Sequence, residues 1–441
     1  MTTDEMKHAE QDSQFFGELP KGWILKKFGD ILSEPVRNGV YKKKEFHGRG
    51  QKIINMGELF AYNFISNQEM KRVELNPNEV SKSIVQDGDL LFARRSLVLE
   101  GSGKCSLVVH PSENLTFESS IIRATPDRTQ ADSKYYYYLF QSRLGRALMA
   151  SIATQTTVSG ITGSNLMQLK MPQPPLLEQH KIAAILSAYD DLIENNTRHI
   201  KILEEMAQAL YSEWFVKFRF PGHEKVRMVE SELGMVPEGW EIKKATDAIY
   251  VNPTTKVPKE GEKPFVSMGN LSNDSMFVNG FEYRSGNSGS KFKNGDTLFA
   301  RITPCLENGK TAYVQFLPSN DDIAFGSTEF IVLRSKTLCS ELVYLMARSN
   351  EFRDNAIKSM SGATGRQRVQ EACFDKFLFA HPDSKIISAF AEHISPLFQN
   401  AYILNTKNAN LRRTRDLLLP KLISGEIDIQ GINIIIGGLQ I

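Results

Sequence analysis

The stretch Gly88-Asp89-Leu90-Leu91-Phe92-Ala93-Arg94 returns 207 positions later (88 to 295) as Gly295-Asp296-Thr297-Leu298-Phe299-Ala300-Arg301. A Gly-Lys pair follows each copy, Gly103-Lys104 and Gly309-Lys310. Upstream, Leu19-Pro20-Lys21-Gly22-Trp23-Ile24-Leu25-Lys26-Lys27 returns at an offset of 217 (19 to 236) as Val236-Pro237-Glu238-Gly239-Trp240-Glu241-Ile242-Lys243-Lys244. Downstream, Tyr138-Leu139 answers Tyr344-Leu345, and Ser159-Gly160 answers Ser361-Gly362. Matches that keep one order at similar offsets indicate a duplicated domain, because chance similarity scatters. At roughly 100–200 residues per domain, a chain of 441 residues holds both copies and connecting segments.

Inside each copy, β-branched and aromatic runs at Ser106–Val109, Ser120–Arg123, Thr311–Phe316 and Glu329–Arg334 are set off by Gly, Pro, Asn and Ser, which predicts strands joined by turns. Helical patterns follow at Ser133–Ser151 and Ser340–Ser359. Each copy is therefore an α+β domain, and each ends in a proline-containing stretch, Met171-Pro172-Gln173-Pro174-Pro175 or Ala380-His381-Pro382.

A long helical pattern comes after each stretch. In the first, Ile182, Tyr189, Asn196, Leu203 and Leu210 fall seven apart, with Ile185, Leu192, His199 and Met206 as the companion seam. In the second, Phe390, Leu397, Leu404, Leu411 and Leu418 repeat every seven, interleaved with Ile387, Ile394, Ala401, Asn408, Arg415 and Leu422. Sustained heptads predict a coiled-coil seam, and the economical partner for each helix is the other. Asn196 and Asn408 would fix register at some cost in stability. Two core helices of an ordinary bundle are the plainer reading. Pro396 lacks a backbone donor, so it should kink the second helix or mark its start.

Composition excludes several classes. Hydrophobic residues make up 41% and charged residues 24%, so disorder and collagen-like repeats are ruled out. Lys+Arg exceeds Asp+Glu by 53 to 51, which gives no whole-chain signature of a nucleic-acid binder. Cys105, Cys305, Cys339 and Cys373 form no CxxC pair, which argues against a zinc knuckle or disulfide framework and for a reducing, cytoplasmic setting. The first twenty residues are polar, and no run of about 18 apolar residues occurs.

Candidate catalytic motifs fail on spacing. Gly103-Lys104 and Gly309-Lys310-Thr311 resemble the end of a phosphate loop, but Val98 and Pro304 stand where its first glycine belongs. Asp127, Asp132 and Lys134 mimic a nuclease set that is cramped and has no second-copy counterpart, as a turn before a helix would be. The eight histidines show no HxxxH spacing, and neither Asn76-Pro77 nor Asn252-Pro253 continues as an amino-methyltransferase motif requires.

Positive charge does concentrate. From Lys21 to Lys52 there are nine basic residues against Asp30, Glu34 and Glu45, and in the centre Lys42, Lys43, Lys44 and Arg49 are interleaved with Tyr41 and Phe46. Such a run suits a nucleic-acid surface, or simply a solvated loop. The second cluster is Ser361-Gly362-Ala363-Thr364-Gly365-Arg366-Gln367-Arg368, whose first-copy counterpart spans 156–165 and supplies Thr157, Ser159, Thr162, Ser164 and Asn165. Glycines admit close backbone approach, while Arg, Gln and Asn can pair bidentately with base edges. With the Ala-Arg positions Arg94, Arg95 and Arg301 and the lysines Lys104 and Lys310, these loops form the candidate DNA-contacting set.

Pro174-Pro175-Leu176-Leu177-Glu178-Gln179-His180-Lys181-Ile182, Phe220-Pro221-Gly222-His223-Glu224, Ser231–Trp240 and Leu411–Leu422 together resemble the specificity subunit of type I restriction–modification enzymes, from about Leu19 to Ile427. The resemblance implies two tandem target-recognition domains separated by two long antiparallel coiled-coil helices in a pseudo-twofold repeat. It places the first domain at residues 1–174, the central spacer helix at 175–220, the second domain at 221–382, the C-terminal spacer helix at 383–427 and a tail at 428–441. It implies double-stranded DNA, methyltransferase (M) subunits and restriction (R) subunits as partners. S-adenosylmethionine, ATP and magnesium would sit on those partners, with no catalytic residue, metal or cofactor in this chain. The weak helix entry His381-Pro382-Asp383-Ser384, Pro396 and the apolar tail Gly431–Ile441 depart from the family pattern. From Ile182 to Leu210 the helix spans about 42 Å at roughly 1.5 Å per residue, against about 34–36 Å for a turn of B-DNA. The alternatives are a coiled-coil adaptor with two protein-binding domains, and a nuclease using Asp127, Asp132 and Lys134.

Overall fold

The computed structural model describes residues 16–154, 159–258, 260–363, 365–433, 435–436 and 439–440. The chain divides into two compact units, Met1–Ile193 with Asn410–Ile441, and Glu194–Ala409.

The duplication extends to topology. In the first unit a five-stranded sheet runs in the order Arg37–Asn38, Ile121–Ala124, Leu90–Ala93, Cys105–Val108, Phe64–Ile65. In the second a four-stranded sheet runs Ile249–Val251, Phe330–Ser335, Thr297–Ala300, Thr311–Tyr313. In both, the strand after the Gly-Asp turn is central and antiparallel to both neighbours, with Phe92 opposite Ile122 and Phe299 opposite Ile331. The turn explains its residues: Gly88 and Gly295 adopt φ of 91° and 85°, which a side chain disfavours. The carboxylates of Asp89 and Asp296 accept the N–H of Gln86 and Lys293, at 2.7 and 2.9 Å. Each unit also pairs the strand after its Gly-Trp motif with the strand before the long helix, Ile24–Lys27 with Lys170–Gln173 and Glu241–Lys244 with Leu378–His381.

The helical patterns at 133–151 and 340–359 are each two helices, Ser133–Gln141 with Arg143–Ile152 and Ser340–Arg348 with Asn350–Lys358. Ser142 and Ser349 break them in the extended region, and their hydroxyls accept the N–H of Gly145 and Phe352 as N-caps. Packed on the sheets they close aromatic cores, in which Phe28, Phe92 and Phe140 meet edge to face in one unit and Phe299, Phe352 and Phe374 cluster in the other.

The long helices span Leu176–Tyr211 and Ser384–Ser424. In the first unit the Asp190 carboxylate pairs with Arg415, and Lys181 donates to the Gln430 carbonyl at 3.2 Å. In the second unit Trp214 packs on Phe390 and Asn196 donates to Asn408 at 2.9 Å. Within each unit the segments therefore run antiparallel, and the two seam asparagines meet as the heptad reading expects. In the second-helix seam Ile387, Phe390, Ile394, Ala401, Asn408 and Leu422 are buried, while Leu397, Leu404, Leu411, Arg415 and Leu418 are half-buried. The companion seam of the first helix departs from the reading. Leu186, Ile200, Ala207 and Trp214 are buried, whereas Leu192 and Met206 are about half exposed at 51% and 48%, and His199 is exposed. Steps of three and four both stay on one helix face, and Ile185-Leu186 and Leu192-Ile193 offer an apolar residue at either step.

Pro396 does not start the second helix, which begins at Ser384 with the Asp383 carboxylate accepting the N–H of Lys385 and Ile386. The proline lies within the helix on an exposed face, where its missing N–H leaves no buried group without a partner. In the tail, Ile435–Ile436 pairs antiparallel with Leu439–Gln440, and the remainder from 434 lies outside the described residues. Among the described residues, no helix is long and apolar enough to cross a membrane.

Candidate functional site

The two motifs singled out in each copy come together in space. In the first unit the short strand Arg95–Ser96 pairs with Ser159–Gly160, with Ser159 opposite Ser96 and Gly160 opposite Arg95. Ile161 N–H donates to the Arg94 carbonyl at 3.0 Å, and Arg94 N–H donates to Ser120 at 2.8 Å. A Cβ on Gly160 would lie 3.0 Å from the Arg94 carbonyl, a tight contact that glycine avoids. In the second unit Val369 N–H donates to the Arg301 carbonyl at 2.9 Å, Thr303 N–H donates to Gln367 at 3.1 Å, and Arg301 N–H donates to Glu329 at 3.0 Å. Ser361 and Arg368 exchange both backbone hydrogen bonds, at 3.0 and 2.9 Å, which closes the Gly-rich tip.

The side chains on these frames differ. In the first unit Arg95 is exposed and Arg94 half-buried, and Leu97 and Val98 beside them are 88% and 58% exposed. Ser159 is buried in its strand pairing. Thr162 is an N-cap whose hydroxyl accepts from Asn165 N–H at 3.2 Å and meets the Ser164 hydroxyl at 3.0 Å, which leaves the exposed side chains of Ser164 and Asn165 as the accessible polar groups. In the second unit Arg366 is exposed and makes no side-chain hydrogen bond or ion pair among the described residues, and Gln367 is half-buried. Arg368 donates from Nε and Nη2 to both oxygens of Glu329, at 2.6–3.0 Å, and this carboxylate raises the guanidinium pKa. Arg301 pairs with Glu371 at 3.4 Å, while its Nε and the Thr303 hydroxyl are buried without a hydrogen-bond partner among the described residues. Thr157 and Thr364 lie outside the described residues.

Besides Arg301 and Arg368, four more of the basic candidates are engaged within the fold. Lys104 and Lys310, the lysines of the two Gly-Lys pairs, turn their ammonium groups onto main-chain carbonyls of Phe60 and Met268, the latter at 3.0 Å. Burial, followed by the neighbouring Arg146, lowers the Lys104 pKa. Lys42 pairs with Glu79 at 2.6 Å and lies over the Phe46 ring, and Arg49 pairs with Glu74 at 2.6 Å. Lys43 and Lys44 remain exposed. Lys52 and Arg72 share Glu113, whose pKa they depress. The basic run is thus threaded with carboxylates from elsewhere in the chain. No hydrogen bond or ion pair among the described residues joins it to the Gly-rich loop.

The nuclease-like trio does not converge. Asp127 accepts from Thr129 and Gln130 within its own turn, Asp132 caps the helix at Ser133 and meets His180 at 2.7 Å, and Lys134 is exposed. No group of three metal-ligating side chains occurs among the described residues. Two site residues escaped the sequence reading, Glu329 and Glu371, the acids that hold Arg368 and Arg301. The repeat offered a signal for the first, because the residue whose carbonyl meets the Ala-Arg turn is Ser120 in one copy and Glu329 in the other.

Residues 20–205 match the type I restriction modification DNA specificity domain. The chain is 26% identical over 432 residues to the type I restriction enzyme MjaIX specificity subunit of Methanocaldococcus jannaschii, covering 94% of this chain and 95% of that protein. It is 22% identical to the HindI specificity subunit of Haemophilus influenzae, covering 85% of this chain and 94% of that one. Among solved structures, the S subunit of a type I restriction–modification system from M. genitalium shares the fold with a TM-score of 0.56 at 14% identity, over 92% of this chain and 96% of that one.

Proposed function

We propose that the chain is the non-catalytic reader of a type I restriction–modification system, because residues 20–205 match the type I restriction modification DNA specificity domain and the chain as a whole is similar to type I specificity subunits. Each unit would read one half of a bipartite target in double-stranded DNA. The observation that carries this reading is the repeated crossing of an arginine-bearing strand end with a glycine-rich loop. Positively charged donors on a rigid strand end hold phosphates, and an exposed loop tip can reach base edges.

The long helices would set the distance between the half-sites and dock methyltransferase subunits, with restriction subunits joining that assembly. S-adenosylmethionine, ATP and magnesium would belong to those partners. The 36-residue first helix is about 54 Å long at about 1.5 Å per residue, longer than one B-DNA turn of about 34–36 Å. Inserting one heptad into both helices should lengthen the preferred spacer, and an unchanged spacer in a folded protein would remove the ruler role.

Binding of the full chain to random duplex DNA, followed across salt, tests the reading against a protein-binding adaptor. Phosphate contacts make affinity fall steeply with ionic strength. Salt-insensitive binding, or bound duplexes without a split motif, would count against DNA reading. Cleavage by the chain with magnesium and no partner would instead favour the nuclease alternative.

A further inference from the structure

The second crossing carries an acid that the first lacks, and its geometry leaves one edge of an arginine unused. Resting on the DNA-reading function above, we propose that Arg368, braced by Glu329, reads a guanine in the half-site of the second unit.

A guanidinium has five N–H donors in a fixed plane. At Arg368 the Nε and Nη2 edge faces both oxygens of Glu329, at 3.0, 3.0 and 2.6 Å, which fixes that plane. No described residue accepts from Nη1, so the end-on pair of Nη1 and Nη2 still has donors to give. That pair matches the O6 and N7 acceptors that guanine presents in the major groove. The side chain is 46% exposed, and its backbone is tied to Ser361 on one side while the next residue, Val369, is tied to Arg301 on the other. The donor pair is therefore accessible and anchored. Glu329 also cancels the charge that would draw the arginine to a phosphate, leaving a directional contact in place of a long-range one. Arg366, exposed and without such a brace, keeps the unneutralised charge that suits a phosphate. The first unit has Ser120 where Glu329 stands, and no arginine in Ser159-Gly160-Ile161, so this device serves one half-site only.

Duplexes bound by the full chain are selected from a random pool, and every guanine of the resulting site is then replaced in turn by adenine and by 7-deazaguanine, which lacks N7. For the wild-type protein, one guanine confined to one half-site should lose ten- to hundredfold in affinity on either replacement. With Arg368→Lys or Glu329→Gln, both checked for unchanged thermal unfolding, that loss should shrink to under threefold, whereas Arg366→Ala should weaken every duplex alike. Equal guanine losses in wild type and Arg368→Lys, or a half-site pair without such a guanine, would overturn the assignment while leaving the split preference intact. A wild-type protein with no sequence preference would overturn both this inference and the reading beneath it.

Discussion

The loop crossing at Arg94 and the one at Arg301 share a backbone and almost nothing else. At the first, Ser159-Gly160 lies beside exposed Arg95, Leu97 and Val98, with hydroxyls and an amide at Ser164 and Asn165. At the second, Arg301 and Arg368 are each held by a glutamate, and Arg366 extends unbraced. Beneath both lie the same Gly-Asp turn and central strand, and a pair of helices broken at a capping serine. The frame is maintained by core packing and turn chemistry, which reject substitution, while the loop tips touch little of the core and are free to differ. If the proposed DNA reading holds, such a frame would let the loop tips change target without refolding the domain.

The comparison can be pressed hardest through the cores. Phe28→Ala in the first unit and Phe374→Ala in the second, both fully buried, should each destabilise their own unit by about 3–5 kcal/mol. Calorimetry should show a different transition lowered by each, and DNA selection should show a different half-site blurred. A single transition shifted equally by both would mean the units do not unfold separately.

A smaller contrast lies under the turns. Asp296 is buried and bound bidentately by Arg334, with both contacts at 2.6 Å, so Asp296→Asn should cost about 3 kcal/mol in urea unfolding. At the equivalent Asp89 the arginine stands 3.9 Å away, and its donors serve Glu34 and Ile84. Burial raises the Asp89 pKa, so the folded form takes up its proton before the unfolded chain does and the charge weighs against stability as pH rises through that range. Asp89→Asn is accordingly expected to cost only about 1 kcal/mol. Equal costs would show that the two turns are electrostatically alike.

Next comes Lys310→Met, which removes the hydrogen bond to Met268. It should lower stability by about 1 kcal/mol and leave the salt dependence of DNA binding unchanged. A reduced salt slope would return this lysine to the DNA-contacting set. The smallest effect is expected from Arg366→Ala, a fall of about one in that slope, uniform across sequences.

The duplicated frame was legible because its residues are those a turn and a cap demand, and so they recur in identifiable form at Gly88 and Gly295. In the second helix the buried stripe Ile387, Phe390, Ile394, Ala401 and Asn408 was legible, although Pro396 pointed to a later start than Ser384. In the first, adjacent apolar pairs hid whether the companion seam steps by three or by four, and Leu186 and Ile200, not Ile185 and His199, are the buried ones. The crossings themselves were half legible, since the repeat pointed to both strands and loops but not to their meeting. What stayed hidden depends on distant partners. Lys104 and Lys310 reach carbonyls 44 and 42 residues upstream, and Arg368 meets an acid 39 residues away, pairings that no local pattern encodes.

The claim that this chain reads two half-sites is tested most directly by mapping methylated adenines across the host genome with the gene intact and with it deleted. The account expects a motif split by a fixed spacer to be methylated in the first case and unmethylated in the second. Adenine methylation unchanged by the deletion, or the loss of a motif with no spacer, would contradict it.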